Sequence, residues 1–365
     1  MTTAQQLFKR VLTTRVAWPI LLTIALLCTA SILAIGLSKP DKAAQQQVHI
    51  LIGIGVMAAV LLFHYQHLGQ IAYALFGLAI VLLVAVLFTE PINGSRRWFD
   101  LPGHVAFQPS EVAKVTFVMA LAWYLRFRKD IDTWSGLLGP FAFMIVPFGL
   151  ILIEPDLGTA LLFPLVLFAM LVAAGAKLRH LLIIAIVAAA ALPGAYPLLR
   201  EYQQKRIQSF VKQVLNVDDP AHRKGPGYQQ YQSIVAIGSG GTTGLGLEEA
   251  THIRHGLLPE AHTDFIFAVV ATQWGFVGCV LILLFYLAFM GASIEIGAAA
   301  SDPFGRVMVA GLASLILFQA MINIAMTTGS GPVVGIALPF ISYGGSSLLT
   351  NMVATGLILN VSIRR

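Results

Sequence analysis

Long apolar runs broken by short polar turns dominate the chain. They fall at approximately Trp18–Leu37, Gln47–Phe63, Gly69–Phe88, Val112–Leu125, Gly136–Ile153, Leu157–Ala174, Leu178–Leu198, Phe265–Met290, Val307–Met326 and Leu338–Val361. A helix needs roughly 17–25 apolar residues to cross a bilayer core, so the pattern predicts about ten transmembrane helices. Between the seventh and eighth the pattern stops, and residues 199–263 form a long polar connection. Other connections are short: Pro40-Asp41 and Ser301-Asp302-Pro303 mark tight turns. The expected fold is therefore all-α and polytopic, one transmembrane domain over residues 1–365 with a large loop between helices 7 and 8. No strong internal repeat of the kind that marks inverted-repeat transporters is present.

Composition removes the soluble alternative. Of 365 residues, 57% are hydrophobic and 11% charged, and mean hydropathy is +0.80; soluble domains carry about 25% charged residues. Trp18–Leu37 is long enough to span and no small-residue cleavage site clearly follows it, so it reads as a helix rather than a signal peptide. Cys28 and Cys279 lie within apolar runs and read as small core residues, without disulfide or metal-ligand spacing. The net charge of +6 suits anionic lipid surfaces. Its basic residues are not interleaved with aromatics, so nucleic acid is not an expected partner. Lys9, Arg10, Arg15, Arg126, Arg128, Lys129, Lys177, Arg179, Arg306, Arg364 and Arg365 share one side under the ten-span pattern. The other side's short loops hold only Lys39, Lys42, Arg96 and Arg97. Both termini are thus expected in the cytoplasm and residues 199–263 outside.

Chemistry-bearing residues gather on that outer face. The stretch Leu258-Pro259-Glu260-Ala261-His262-Thr263-Asp264-Phe265 opens the eighth helix, with Thr263 placed to cap it and Asp264 expected in its first turn. Glu260 and Asp264 serve there either as capping residues or as site acids. In Asn93-Gly94-Ser95-Arg96-Arg97-Trp98-Phe99, two arginines suit phosphate and Trp98 suits headgroup depth; the same residues read equally as an interfacial anchor. Glu111 and Lys114, three apart behind Pro109, share a helix face and suit a structural ion pair, since an unpaired lysine there is costly. Glu154-Pro155-Asp156-Leu157-Gly158-Thr159 brings Asp156 to the depth of Lys114. A Lys114, Glu111 and Asp156 cluster would serve as a structural network or as the lining of a substrate cavity. Glycines and prolines from Gly329 to Gly345 demand non-helical backbone, which membrane depth tolerates only inside protein or beside a cavity. Ser342 and Ser346 there could hydrogen-bond a sugar or pyrophosphate, or the small residues could simply pack helices. The glycines of Ala236–Gly246 lack the Gly-Lys-Ser/Thr ending of a phosphate loop, and no His-Glu-x-x-His or nucleophile elbow occurs.

Taken together, Pro109-Ser110-Glu111 with Lys114, Pro155-Asp156-Leu157-Gly158-Thr159, Gln232-Ser233 with Gly238-Ser239-Gly240-Gly241, Leu258–Phe267 and Tyr343-Gly344-Gly345-Ser346-Ser347 resemble the bacterial SEDS family. That family contains RodA and FtsW, and the form of the Ala-Ile-Gly-Ser-Gly-Gly loop looks more like RodA. The resemblance runs over nearly the whole chain in order. It departs at Thr272-Gln273-Trp274, where acidic residues are usual, and at Glu154, where glutamine is usual. It implies a peptidoglycan glycosyltransferase of the bacterial cytoplasmic membrane, polymerising lipid II outside the membrane in cell elongation and shape maintenance. Asp264 matches the family's essential acid, as base or as ligand of a divalent cation (Mg or Mn), with Glu260 nearby. Arg96, Arg97, Trp98, Lys114, Asp156, Ser342 and Ser346 would contact substrate, and Arg254 is a further phosphate candidate. No organic cofactor is expected. A class B penicillin-binding protein transpeptidase and other elongation-complex membrane proteins are the expected partners, because no soluble domain large enough to hold a crosslinking site is expected in this chain. A lipid II flippase and a non-catalytic scaffold are the competing readings. The glycine-rich stretch Gly225–Gly246 is expected to be mobile and to be ordered by a partner.

Overall fold

In lipid a backbone must satisfy its own N–H and C=O groups, so each apolar run has reason to become helix. A computed structural model describes residues 16–90, 95–101, 105–198, 201–215, 227–246 and 258–364. Its helices are α1 (Ala17–Ser38), α2 (Pro40–Leu62), α3 (Tyr65–Gln70), α4 (Ala72–Val86), α5 (Pro109–Leu125), α6 (Trp134–Ile153), α7 (Leu157–Ala173), α8 (Leu178–Ala195), α9 (Glu201–Leu215), α10 (Tyr228–Ser239), α11 (Ile266–Ala298), α12 (Pro303–Thr327) and α13 (Gly345–Ile363). A small antiparallel hairpin, β1 (Phe99–Leu101) and β2 (Val105–Phe107), precedes α5. Every one of the ten apolar runs is represented by a helix. Six are long and apolar enough by themselves to cross a membrane, and α4, α7 and α8 are shorter apolar helices. The chain is an α-helical multi-pass membrane protein.

Local chemistry sets the boundaries. Pro40, Pro109 and Pro303 stand at the starts of α2, α5 and α12, where a missing N–H costs nothing. Thr133, Asp156 and Asp302 cap α6, α7 and α12 through their side chains. The third run splits because His64 starts a separate short helix, its ring accepting from Gln66 N–H. The last run begins its helix only at Gly345, since Leu338–Gly344 is occupied in turns. The hairpin and the two helices of the polar connection, α9 and α10, are additions to the expected architecture.

Helices α5, α12 and α13 form the centre and are buried almost throughout. Around them α13 packs on α2, α12 on α7 and α5, and α11 on α12 and α1. Peripheral helices turn leucines outward, as with Leu51 and Leu138. At the end of the bundle away from the hairpin, Tyr65 OH donates to Asp302, and Asn360 donates to the Val60 and Phe63 carbonyls at 2.9 and 2.6 Å.

Helix α11 is broken at Gly275, whose φ of 63° and ψ of −160° lie outside the helical region. The segment after α10 fills the break. Phe276 and Val277 N–H donate to Gly241 O and Thr242 O at 2.9 and 3.1 Å, and Leu245 and Gly246 N–H donate to Thr272 O and Gln273 O at 2.9 and 3.2 Å. A Cβ on Gly275 would lie 2.3 Å from Gly244 N, so glycine is required by both φ and space. The glycines of Gly240–Gly246 therefore close a helix break. Of the stretch expected to be mobile, Tyr228–Ser239 is helix α10, and Gly241, Thr242, Leu245 and Gly246 bond the backbone of α11. Thr272, in the departing Thr-Gln-Trp run, donates to Ala236 O at 2.8 Å and ties α10 to α11.

Candidate active site

Residues 258–265 make a tight turn before α11. Thr263 and Phe265 N–H both donate to Glu260 O, at 3.2 and 3.3 Å, and Thr263 Oγ1 donates to Glu260 Oε2 at 3.0 Å. This corrects the expected cap. With its hydroxyl held by Glu260, Thr263 caps nothing; α11 starts at Ile266 behind Phe265, and Asp264 precedes the first turn.

The non-helical stretch between α12 and α13 cradles this turn. Asn323 Nδ2 donates to Asp264 O at 2.8 Å and to Ile336 O at 2.6 Å. Ser342 Oγ donates to Thr263 O at 2.6 Å and accepts from Leu338 N–H at 2.7 Å, while Tyr343 N–H donates to His262 O at 2.9 Å. Gly335, with φ of 73°, forms the floor: a Cβ there would sit 3.4 Å from Asp264 Oδ2. The backbone of Asp264 is thus fixed, yet among the described residues its carboxylate oxygens take no hydrogen bond. Burial, then the Glu260 charge, push the Asp264 carboxyl up to about 6; Arg206 and Arg97 oppose and Asp156 adds to the rise. Arg206 comes from α9, which it fixes by donating to Val333 O at 3.1 Å.

Asp156 forms a second wall. Its Oδ1 accepts from Thr159 N–H at 3.1 Å, and its Oδ2 accepts from Thr159 Oγ1 and Gln108 Nε2 at 3.0 and 3.2 Å. Arg97 Nη1 lies 3.7 Å from the same Oδ2. Lys114 Nζ is buried and lies 2.8 Å from Glu111 Oε1. The three-residue cluster of Lys114, Glu111 and Asp156 does not form, since Lys114 and Asp156 each pair with other groups. Arg96 and Arg97 diverge: Arg96 is exposed and donates to Leu87 O at 3.0 Å, capping the end of α4. Trp98 is half-buried before β1. Ser346 Oγ donates to Ala106 O at 2.8 Å and joins α13 to the hairpin. Arg254 lies outside the described residues.

Sequence reasoning missed Arg206, Asn323 and the ring cluster on Tyr343. Tyr343 stands 5.7 Å by centroid from both His49 and His262, with Lys42 Nζ 4.8 Å over its ring. Asn323 carried a signal: an amide inside an apolar span needs a partner. Arg206 carried none beyond its place in the polar connection.

Asp264 and Glu260, close enough for the Glu260 charge to act on the Asp264 carboxyl, are the residues that could hold a cation. Among the described residues no three His, Cys, Asp or Glu side chains converge to cage an ion. Two carboxylates fit Mg²⁺ of the kind shared with a substrate's phosphates, which needs no all-protein cage.

A family model described as "Cell cycle protein", covering FtsW, RodA and SpoVE, matches residues 5–365. "Probable peptidoglycan glycosyltransferase FtsW" of Geobacter sp. (strain M18) is 37% identical over 329 residues, 88% of this chain and 86% of its own. "Peptidoglycan glycosyltransferase MrdB" of Escherichia coli (strain K12) is 36% identical over 295 residues, 80% of this chain and 77% of its own. A solved chain described as "Structural coordination of polymerization and crosslinking by a peptidoglycan synthase complex" superposes with TM-score 0.80 at 30% identity, covering 94% of this chain and 97% of that one.

Proposed function

Because the chain belongs to the FtsW, RodA and SpoVE family, we propose that it polymerises lipid II on the outer face of the bacterial cytoplasmic membrane, in cell elongation. It is a peptidoglycan glycosyltransferase. Glycosyl transfer needs a base for the acceptor hydroxyl and positive charge for the departing pyrophosphate. The observation that carries the reading is Asp264: Asn323 holds its backbone carbonyl, Ser342 holds that of the preceding Thr263, and among the described residues its carboxylate takes no hydrogen bond. A carboxyl raised to about 6 is a stronger base than an ordinary aspartate and is still ionised at neutral pH. Arg97 and Arg206 act on that carboxylate and supply charge for phosphate. Asp264 with Glu260 would hold Mg²⁺ or Mn²⁺, which would neutralise the pyrophosphate.

The elongation role rests on the Ala-Ile-Gly-Ser-Gly-Gly form of the loop after α10; relatives carry both FtsW and MrdB names. The partner is a class B penicillin-binding protein, a reading supported by the similar chain's place in a complex of polymerization and crosslinking. Both termini lie in the cytoplasm, as the basic residues of one face favour.

Purified protein in liposomes with labelled lipid II tests this. Glycan ladders that vanish with chelator and return with Mg²⁺ are expected. Transbilayer movement of lipid II without ladders would identify a flippase, and neither activity would leave a scaffold.

A further inference from the structure

Glu154 closes α6 and is fully buried. A buried carboxylate normally has donors around it, because an unpaired buried charge is costly. Neither Oε1 nor Oε2 of Glu154 has one. Arg97 carries the matching deficit: its Nε is buried without an acceptor, and its Nη1 reaches Asp156 Oδ2 only at 3.7 Å. Asp156 already accepts from Thr159 twice and from Gln108, so it has little capacity left for the guanidinium.

We infer that Glu154 is a positioning residue for Arg97: its neutral form leaves the guanidinium on Asp156, beside Asp264, and its ionised form draws the guanidinium away. A neutral carboxyl tolerates this burial and competes weakly for a cation. An ionised one offers two free oxygens and a full charge to a guanidinium that lacks a good acceptor. Burial, then Asp156, hold Glu154 at about 8, with Arg97 opposing. The charged groups facing it are Asp156 on its own turn and Arg97 from the segment before β1. Lys114 and Glu111 on α5 are closed on each other, and Asp264, Glu260 and Arg206 act beyond the Asp156–Arg97 pair. The inference rests on Arg97 serving the phosphate-bearing substrate, as proposed above.

Wild type and Glu154→Gln in lipid nanodiscs provide the test, read by infrared spectroscopy and by lipid II polymerisation across pH. The wild-type minus Gln difference is expected to show the carbonyl stretch of a protonated carboxyl at neutral pH, lost at alkaline pH. Polymerisation by wild type falls by up to about tenfold per pH unit above that midpoint, as for any single ionisation that removes the active form. Glu154→Gln keeps neutral activity and loses this alkaline limb, and Glu154→Leu does the same should the amide misfold. Absence of the carboxyl band, or alkaline limbs that superimpose, overturns the inference. Absence of polymer in wild type at neutral pH instead strikes the proposed function, while the infrared band still decides the state of Glu154.

Discussion

Asp156 and Asp264 both stand just ahead of helices at the same end of the bundle, yet the protein uses their oxygens differently. Asp156 caps α7 and spends its carboxylate on Thr159, Gln108 and Arg97. Among the described residues Asp264 spends only its backbone carbonyl, on Asn323, and its carboxylate has no donor. Asp264 is half-buried with its carboxyl pushed up to about 6, and a perturbed acid with no donor on its oxygens among the described residues is a functional-site candidate. Within this pair, the proposed function makes the engaged acid a structural one and the unengaged acid the one that reacts.

The largest expected effect is on the unengaged side. Asp264→Ala should lower polymerisation by roughly 10²–10⁴, the range lost with a general base, without lowering the melting temperature. Paired lipid II assays and thermal melts check this; a large drop in melting would place Asp264 among the structural acids. Next comes an engaged pair. Lys114→Ala leaves Glu111 buried and uncompensated and should cost about 3–5 kcal/mol, read as a lowered melting temperature. Lys114→Met with Glu111→Gln should recover most of it. An unchanged melt in the single variant would mean that the pair is dispensable.

Asp156→Ala removes a helix cap and should cost about 1–2 kcal/mol, with a raised KM for lipid II as Arg97 loses its anchor. A loss of kcat equal to that of Asp264→Ala would erase the distinction between the two acids. The smallest effect is in pH dependence. The folded Asp264 carboxyl is raised from 3.8 to about 6, so its stabilising contribution is complete below pH 3.8 and is lost as pH rises through about 6. Melting of wild type minus that of Asp264→Asn should fall across that window; a rise would reverse the assigned direction.

The ten spans were legible because apolar runs of bilayer length have one solution in lipid. The limits of that reading have physical causes. The break at Gly275 depends on contacts with Gly241–Gly246 far away in sequence, so a continuous apolar run concealed it. Thr263 satisfies the local rule for a cap, but Glu260 takes its hydroxyl and shifts the helix start to Ile266. Asp264 could be singled out by type, place and resemblance. That its carboxylate has no donor among the described residues could not, because such a lack is a statement about every neighbour. Arg96 and Arg97 show the same limit: adjacent in sequence, they serve the end of α4 and the Asp156 wall respectively. Lys114 and Glu111, by contrast, meet through the geometry of a single helix, which three-residue spacing already encodes.

The most direct test is Asp264→Asn, which keeps shape and removes charge. Lipid II polymerisation by this variant, measured on protein whose melting matches wild type, should fall to background. Full-length glycan at the wild-type rate would contradict both the base and the cation-ligand roles, and with them the claim that the unengaged acid is the one that reacts.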